Sequence, residues 1–318
     1  MTSPGAAGTV LIQDAAAVNH RASVGWGLAV FTAIGFSSTT PLGRLAVTSG
    51  INPTMLLAVR FLVATLLFTV TYAVARPAWL RIDRRGFLWC VAGGLTGAVA
   101  VLCYFWGLRE IAGSIAAVIV SVYPLIVLGL LALRGEKLTY RNAIRVLLGL
   151  AGIYLLVGLG GDFKLGGVLL VLVAAAAYAG HVVLIQWRLS QYSSQTVAYY
   201  VTAIMTVLLG AAWLLSGAGW QDPGRVGWFA IFGMALLGTY LAKVAFYEAV
   251  RRIGGGQVVL LSPLETLLSV GWSILFLYER LAALQLLGTV LIIASAGLAV
   301  RRLGRVRPRL KWRAFRRP

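Results

Sequence analysis

Apolar runs of about twenty residues, separated by short charged or turn-forming breaks, constrain the fold of this chain more than any other feature. A helix of that length crosses the roughly 30 Å hydrocarbon core of a bilayer, where every backbone polar group must be satisfied internally. The chain has 318 residues, 60% apolar and 12% charged, with a mean hydropathy of +0.88. Polar residues are too few to cover a soluble domain of this size, so the pattern predicts an all-α integral membrane protein.

Ten such runs are present, and we interpret each as one transmembrane helix. Turn and charge signals such as Asn52-Pro53 and Arg84-Arg85 mark the breaks between them. The predicted spans are approximately 25–43, 54–75, 86–107, 113–133, 143–159, 166–187, 196–216, 226–247, 255–277 and 283–300.

Basic residues are distributed unevenly between the two sides that these helices define. With a cytoplasmic N-terminus, 21 of the 28 Lys and Arg residues lie on the inner side and five on the outer side. This excess predicts a multi-pass protein of the inner (plasma) membrane with both termini in the cytoplasm. We expect the basic tail 301–318 to bind anionic lipid headgroups rather than nucleic acid, and residues 1–23 to be a disordered lead-in.

One pattern occurs twice, in Tyr104–Glu136 and Phe246–Glu279, at an offset of 142 residues that becomes 143 at the final Glu. It consists of an aromatic pair, Arg, Ile, small residues, a long apolar stretch and Glu. Five helices per half place the second half upside down, and the loops agree, because Arg109-Glu110 is nearly neutral whereas Arg251-Arg252 is doubly basic. The sequence therefore predicts two inverted five-helix repeats with a substrate site between them near the membrane midplane. The repeats cover residues 24–160 and 165–300.

Short motifs recur in order along both halves. They are LAVRF (57–61), YFWGLREI (104–111), VSVYP (120–124), RGEKLT (134–139), AVRRI (249–253), SPLET (262–266) and YERL (278–281). In these motifs the chain resembles the drug/metabolite transporter superfamily, specifically its ten-helix EamA-type members. The resemblance covers nearly the whole chain and implies an inverted-repeat carrier, commonly an exporter of amino acids, metabolites or drugs.

One position departs from the pattern of that family. The usual Leu-Glu-Pro of the ninth helix reads Leu264-Glu265-Thr266, and the proline stands earlier, at Pro263. The first half keeps Pro124. Since proline removes one backbone hydrogen bond, we expect a kink near each of these two prolines.

Glu265 is the main candidate for chemistry, because a charge inside an apolar span costs at least a few kcal/mol. Ser262 and Ser269 fall on its face of the helix. Two interpretations remain open: a substrate or proton site, or a protonated residue that bonds a backbone group and stabilises the kink at Pro263.

Two further polar positions lie inside the second half. Lys243, with Tyr240 on the same face, either binds an anionic group or extends its amine to the inner interface. His181, three residues after Tyr178, either lies in the transport pathway or is a hydrogen-bonded packing residue.

In the first half, three positions are candidates for the cavity wall. Tyr123 precedes the proline that frees a carbonyl, Ser38 lies in a run of four hydroxyls, and Tyr104 begins an aromatic cluster. The hydroxyls either line a cavity or bond back to their own helix.

Other classes of function find little support in the sequence. The glycine-rich segment 158–167 lacks the Lys-Ser/Thr end of a phosphate loop, and neither a metal-ligand cluster nor a nucleophile–base pair is evident. We therefore predict a secondary-active or facilitative carrier without a cofactor. It exports small organic metabolites such as amino acids or amphiphilic drugs by alternating access, with a proton or another ion as the candidate coupling species. The alternatives are an importer of the same substrates and a membrane enzyme or scaffold without transport.

Overall fold

The computed structural model describes residues 22–110, 119–120, 122–133, 140–157, 165–277, 287–291 and 293–295, and every regular element among them is helical. Residues 1–21 of the predicted lead-in 1–23 and the predicted tail 301–318 lie outside the described residues, whereas residues 22 and 23 belong to the first helix. The longer helices are α1 (22–37), α2 (Thr39–Thr48), α3 (Pro53–Ala75), α4 (Arg84–Glu110), α5 (Tyr123–Ala132), α6 (Tyr140–Val157), α7 (Leu165–Leu184), α8 (Ser194–Leu215), α9 (Gly224–Ala235), α10 (Ala242–Ile253), α11 (Gly255–Val258) and α12 (Ser262–Leu277).

Six helical stretches of the described residues are long and apolar enough to cross a membrane. They correspond to the first, second, third, sixth, seventh and eighth predicted spans. Their bounds are Ala22–Gly43, Pro53–Ala75, Arg84–Gly107, Leu165–Leu189, Ser194–Leu215 and Gly224–Ile253. The fourth span is described at 119–120 and 122–133, which include α5, and the tenth only at 287–291 and 293–295.

Local sequence explains where α3 begins and which side of it faces the protein. Asn52 is its N-cap, with a side-chain oxygen that accepts from the Thr54 amide, and Pro53 occupies the first turn, where no amide donor is needed. An outward stripe at helical spacing is exposed, namely Leu62, Leu66, Val70 and Val74. Phe61, Phe68 and Tyr72 on the other side are buried. The apolar outer stripe suits lipid, and the aromatic inner stripe packs the core.

The two prolines each lie in the first turn of a helix rather than within a continuous one. α5 begins at Tyr123, after a turn at Val122, and α12 begins at Ser262, after the 3₁₀ helix Val259–Leu261. The offset of 142 residues would place the second start at Glu265. The shift of the proline to position 263 has therefore moved the helix start by three residues, about one turn.

Small residues allow α4 to pack closely against α7 and α8. A Cβ atom added at Gly94 would lie 2.5 Å from Ile204 Cγ2, and one at Gly97 would lie 2.9 Å from Met205 Sδ. Such close approach is the usual basis of helix association in membranes.

Candidate functional site

A small cavity lies where the two halves of the chain meet. Its empty volume, which includes its open mouth, is about 280 Å³. The first half contributes α1 and the start of α5, and the second half contributes α7, α10 and the segment leading into α12. The lining residues are Ala29, Thr32, Ala33, Phe36, Tyr123, Tyr178, Phe246, Val258, Val259, Leu261, Ser262 and Glu265.

Glu265 is the acidic residue of this cavity wall. It lies in the first turn of α12, where the helix dipole favours a carboxylate. Among the described residues its carboxyl group has neither a hydrogen bond nor an ion pair, so none of them forms the bond to a backbone group considered above. An acid that lines a cavity without a protein partner is available to a ligand or a proton.

Two tyrosines from opposite halves form one wall of the cavity. The rings of Tyr123 and Tyr178 meet edge to face, with centroids 4.9 Å apart and planes at 80°. This is a favoured geometry for an aromatic pair. Ser262, also in the wall, starts the helix that carries Glu265. The structure thus brings four predicted residues together: Glu265, Ser262, Tyr123 and Tyr178.

His181 lies next to this group but has partners for both ring nitrogens. Its Nδ1 is 2.9 Å from the Gly93 carbonyl oxygen and its Nε2 is 3.3 Å from the Tyr247 hydroxyl. Because a carbonyl only accepts, Nδ1 carries the proton, and Nε2 accepts from Tyr247. The ring stacks on Tyr178 at 6.1 Å, so a neutral, hydrogen-bonded histidine supports the cavity wall from behind.

The hydroxyl run at the end of α1 bonds back to its own helix. Ser37, Ser38 and Thr39 donate to the carbonyls of Ile34, Gly35 and Phe36 at 2.7–2.8 Å. The helix is interrupted by a turn at Ser38, between α1 and α2. Ser38 is not among the residues lining the cavity.

Ser269 contacts the break between α1 and α2 instead of lining the cavity. Its hydroxyl donates to the Ser37 carbonyl at 3.3 Å, and one turn of α12 further along, Trp272 Nε1 donates to the Ser37 hydroxyl at 3.1 Å. The helix that carries Glu265 is therefore fixed to the break in α1. A movement of one is expected to be transmitted to the other.

Lys243 points into the protein rather than toward a membrane surface. Its amine lies 3.1 Å from Met205 Sδ, 3.5 Å from Thr202 Oγ1 and 5.0 Å from the centre of the Phe61 ring. It is ten residues, or roughly 15 Å of helix, from the end of α10 at Ile253. An extended amine at the inner interface does not fit this placement.

The remaining candidates lie away from the cavity. Tyr240 packs its ring on Phe68 at 4.5 Å, and Tyr104 packs near Val171 between α4 and α7. Neither is among the lining residues.

Sequence reasoning missed several uncharged members of the wall, chiefly Thr32, Phe36 and Phe246. A signal for Phe246 was available, because it is the repeat counterpart of Tyr104. Thr32 and Phe36 carry no charge, and the sequence offered no reason to prefer them over other uncharged positions.

A multi-pass helical fold with a cavity between its two halves is the architecture of a membrane transporter. Comparison with known proteins agrees. The chain matches the EamA-like transporter family over residues 23–158 and again over residues 165–301, and it belongs to that family. Its fold is therefore that of a ten-helix membrane protein built from two inverted repeats, and its function is transport rather than catalysis.

Individual relatives support the same assignment. The chain is 28% identical over 275 residues to the uncharacterized transporter YcbK of Bacillus subtilis (strain 168), covering 81% of this chain and 88% of the relative. It is 23% identical over 204 residues to an uncharacterized transporter of Archaeoglobus fulgidus, covering 64% and 73% of the two chains. A crystal structure with 23% identity superposes with a TM-score of 0.74, covering 87% of this chain and 98% of the other, and supports the fold.

Proposed function

We propose that this transporter exports small organic metabolites, such as amino acids or amphiphilic drugs, by alternating access. The two inverted halves rock about the cavity, which opens in turn to the cytoplasm and to the outside. The observation that carries this proposal is the placement of Glu265, an acid without a partner in the described part of the chain, in a small aromatic cavity to which both halves contribute.

The chemistry of the cavity favours a molecule with both apolar and cationic parts. Phe36, Tyr123, Tyr178 and Phe246 offer ring faces, and Glu265 offers one negative charge. Aromatic faces and a carboxylate are the groups that recognise an amine on an apolar body. A zwitterion such as an amino acid fits this description.

We further propose that transport is coupled to a proton gradient through Glu265. A carboxyl group that faces the cavity can bind either a proton or the amine of the substrate, and competition between the two couples their movements. Protonation would then release the amine on one side of the membrane.

Flux in proteoliposomes tests the function and its direction. Purified protein is reconstituted into liposomes, and the liposomes are loaded with labelled amino acids. Efflux and uptake are then measured with and without a pH gradient. Flux above that of empty liposomes is expected for at least one amino acid. The comparison of efflux with uptake under opposite gradients decides between export and import. Equal flux with and without a pH gradient would contradict the coupling of transport to protons.

A further inference from the structure

Two basic side chains meet on one aromatic ring inside the protein, away from the lining of the cavity. The Arg60 guanidinium carbon lies 5.4 Å from the centre of the Phe61 ring, and the Lys243 amine lies 5.0 Å from it. Arg60 comes from α3 and Lys243 from α10. Arg60 is only 9% exposed, so the charge is held in the interior of the helix bundle.

Neither cation has an acidic partner among the described residues. Glu248 there binds Arg251 and Arg252 at the end of α10. A guanidinium does not give up its proton in a protein, and an unpaired charge in the membrane interior is costly. Within the described part of the chain this buried cation pair lacks a counter-charge, and an anionic ligand would supply one.

The donors of Arg60 are only partly used. Its Nε donates to the Thr239 hydroxyl at 3.1 Å and its Nη1 faces the sulfur of Met234 at 3.8 Å, a weak acceptor. Its Nη2 makes no hydrogen bond with the described residues. Two guanidinium nitrogens therefore remain for a ligand, and this is the edge with which arginine binds carboxylates in a bidentate manner.

The backbone around Arg60 is shaped to hold the guanidinium in place. Thr239 lies in the π-helical segment Leu236–Leu241, and π-helical turns are frequent at functional sites. Gly238 in the same segment lies so close to Thr39 that a Cβ atom there would collide with it, and that Cβ would also lie 3.3 Å from Arg60 Nη2. The segment therefore packs against Thr39 of α2 as closely as a glycine permits, with Arg60 Nη2 beside it.

The pair lies next to the cavity of Glu265. Phe246 lines that cavity and follows Lys243 by three residues on the same helix face. Thr32, also in the cavity lining, has its hydroxyl 3.5 Å from the carbonyl of Ala242, the neighbour of Lys243. Residues of α1 and α10 therefore lie beside both the cavity that holds the acid and the two bases.

We propose that Arg60 and Lys243 form a binding site for the carboxylate group of the transported molecule. This inference rests on the proposed function and names its substrate class: a carboxylate that also carries an amine for Glu265. The surroundings of Phe61, Met205 and Met234 offer few other donors, which suits a singly charged carboxylate better than a phosphate.

Binding of simple acids tests the site without requiring transport. The thermal stability of the purified full-length protein is measured with benzoate, with benzamide as its uncharged counterpart, and with chloride. Benzoate is expected to stabilise the wild type and benzamide is not, because only benzoate offers an anionic bidentate acceptor. Loss of a charge-assisted bond is worth about tenfold in affinity, so Arg60→Gln and Lys243→Met should each weaken benzoate binding by about that factor or more.

Matched variants separate loss of the site from loss of the fold. Arg188→Gln removes a cation that lies over Trp89, 4.6 Å from the ring centre, and should leave benzoate binding unchanged. Lys243→Arg, which keeps the charge, should retain benzoate binding. If Arg60→Gln does not fold, benzoate binding by the Lys243→Met variant alone tests the site.

Three results would overturn the proposal. They are equal effects of benzoate and benzamide on the wild type, benzoate binding that survives in the folded charge-removing variants, and stabilisation by chloride as strong as that by benzoate. Absence of amino acid flux in liposomes would instead contradict the proposed function. The benzoate measurements would still test the anion site, because they do not depend on transport.

Discussion

At the scale of single residues, burial and hydrogen bonding separate groups that are available to a ligand from groups that support the structure. Glu265 lines the cavity and has no partner among the described residues, whereas His181 has a partner for each ring nitrogen. The sequence placed both residues inside apolar spans and could not distinguish them, because the partners Gly93 and Tyr247 come from other helices.

We predict that His181 stabilises the fold and does not set the pH dependence of transport. His181→Ala leaves the Gly93 carbonyl and the Tyr247 hydroxyl without their bonds to the ring, at a cost of about 1–3 kcal/mol for a buried polar group. The thermal midpoint of the purified variant should fall, and the shape of its pH–flux profile should match that of the wild type. Tyr247→Phe removes only one of the two bonds and should cost less. A shifted pH–flux profile in His181→Ala would assign the histidine to the pathway.

The sequence also could not predict the direction in which a side chain points. The position of Lys243 along its helix allowed its amine to extend to the inner interface, but the amine contacts Met205, Thr202 and Phe61 in the interior. Depth in the span follows from counting residues. The face that a side chain occupies depends on how the helices pack.

At the scale of helices, hydropathy predicted six of the long spans within a few residues, since length and composition are enough for that purpose. It did not predict the two π-helical segments, Ile185–Leu189 and Leu236–Leu241, or the start of α12 at Ser262. These features change the backbone register without changing composition. Two of them hold residues discussed above, because Thr239, which accepts from Arg60 Nε, lies in the second π-helical segment and Glu265 lies in the first turn of α12.

Close packing of α4 against α8 gives a prediction at this scale. Gly94→Ala places a methyl group 2.5 Å from Ile204 Cγ2, and overpacking of that kind costs about 1–3 kcal/mol. We expect a lower thermal midpoint for this variant. Gly210→Ala, in α8, has open space around the added methyl group and should be neutral or slightly stabilising. Equal midpoints for the two variants would contradict the close contact.

At the scale of the whole molecule, the inverted repeat explains why one scaffold carries two different chemistries. The matching positions Tyr123 and Glu265 both line the cavity, one with a phenol and the other with an acid. The two positions, one from each half, meet at the same central cavity. Family membership follows from the ordered motifs, but the substrate depends on such differences between the halves and cannot be deduced from the repeat itself.

The proposed orientation, with both termini in the cytoplasm, predicts which loops are accessible from outside intact cells. In a background without Cys90 and Cys103, a cysteine at Ala218, between α8 and α9, should react with a maleimide that does not cross membranes. A cysteine at the exposed Gln191, between α7 and α8, should react only after the membrane is permeabilised. The reverse pattern of labelling would contradict the orientation.

The basic tail 301–318 gives a second prediction about the membrane. If it binds anionic headgroups, a synthetic peptide of this sequence should bind vesicles containing phosphatidylglycerol and not vesicles of phosphatidylcholine alone, and salt should weaken the binding. Binding to both kinds of vesicle with equal affinity would show that charge does not drive the association.

The central claim is that Glu265 couples transport across the cavity between the halves, and flux in proteoliposomes under a pH gradient tests it most directly. Asp222→Asn serves as the matched control, since it removes an acid from an exposed loop. For Glu265→Gln we expect a folded protein whose gradient-driven flux falls to that of empty liposomes, because the amide can neither bind a proton nor carry a charge, while Asp222→Asn behaves as the wild type. Gradient-driven flux and pH dependence that remain unchanged in Glu265→Gln would contradict the account.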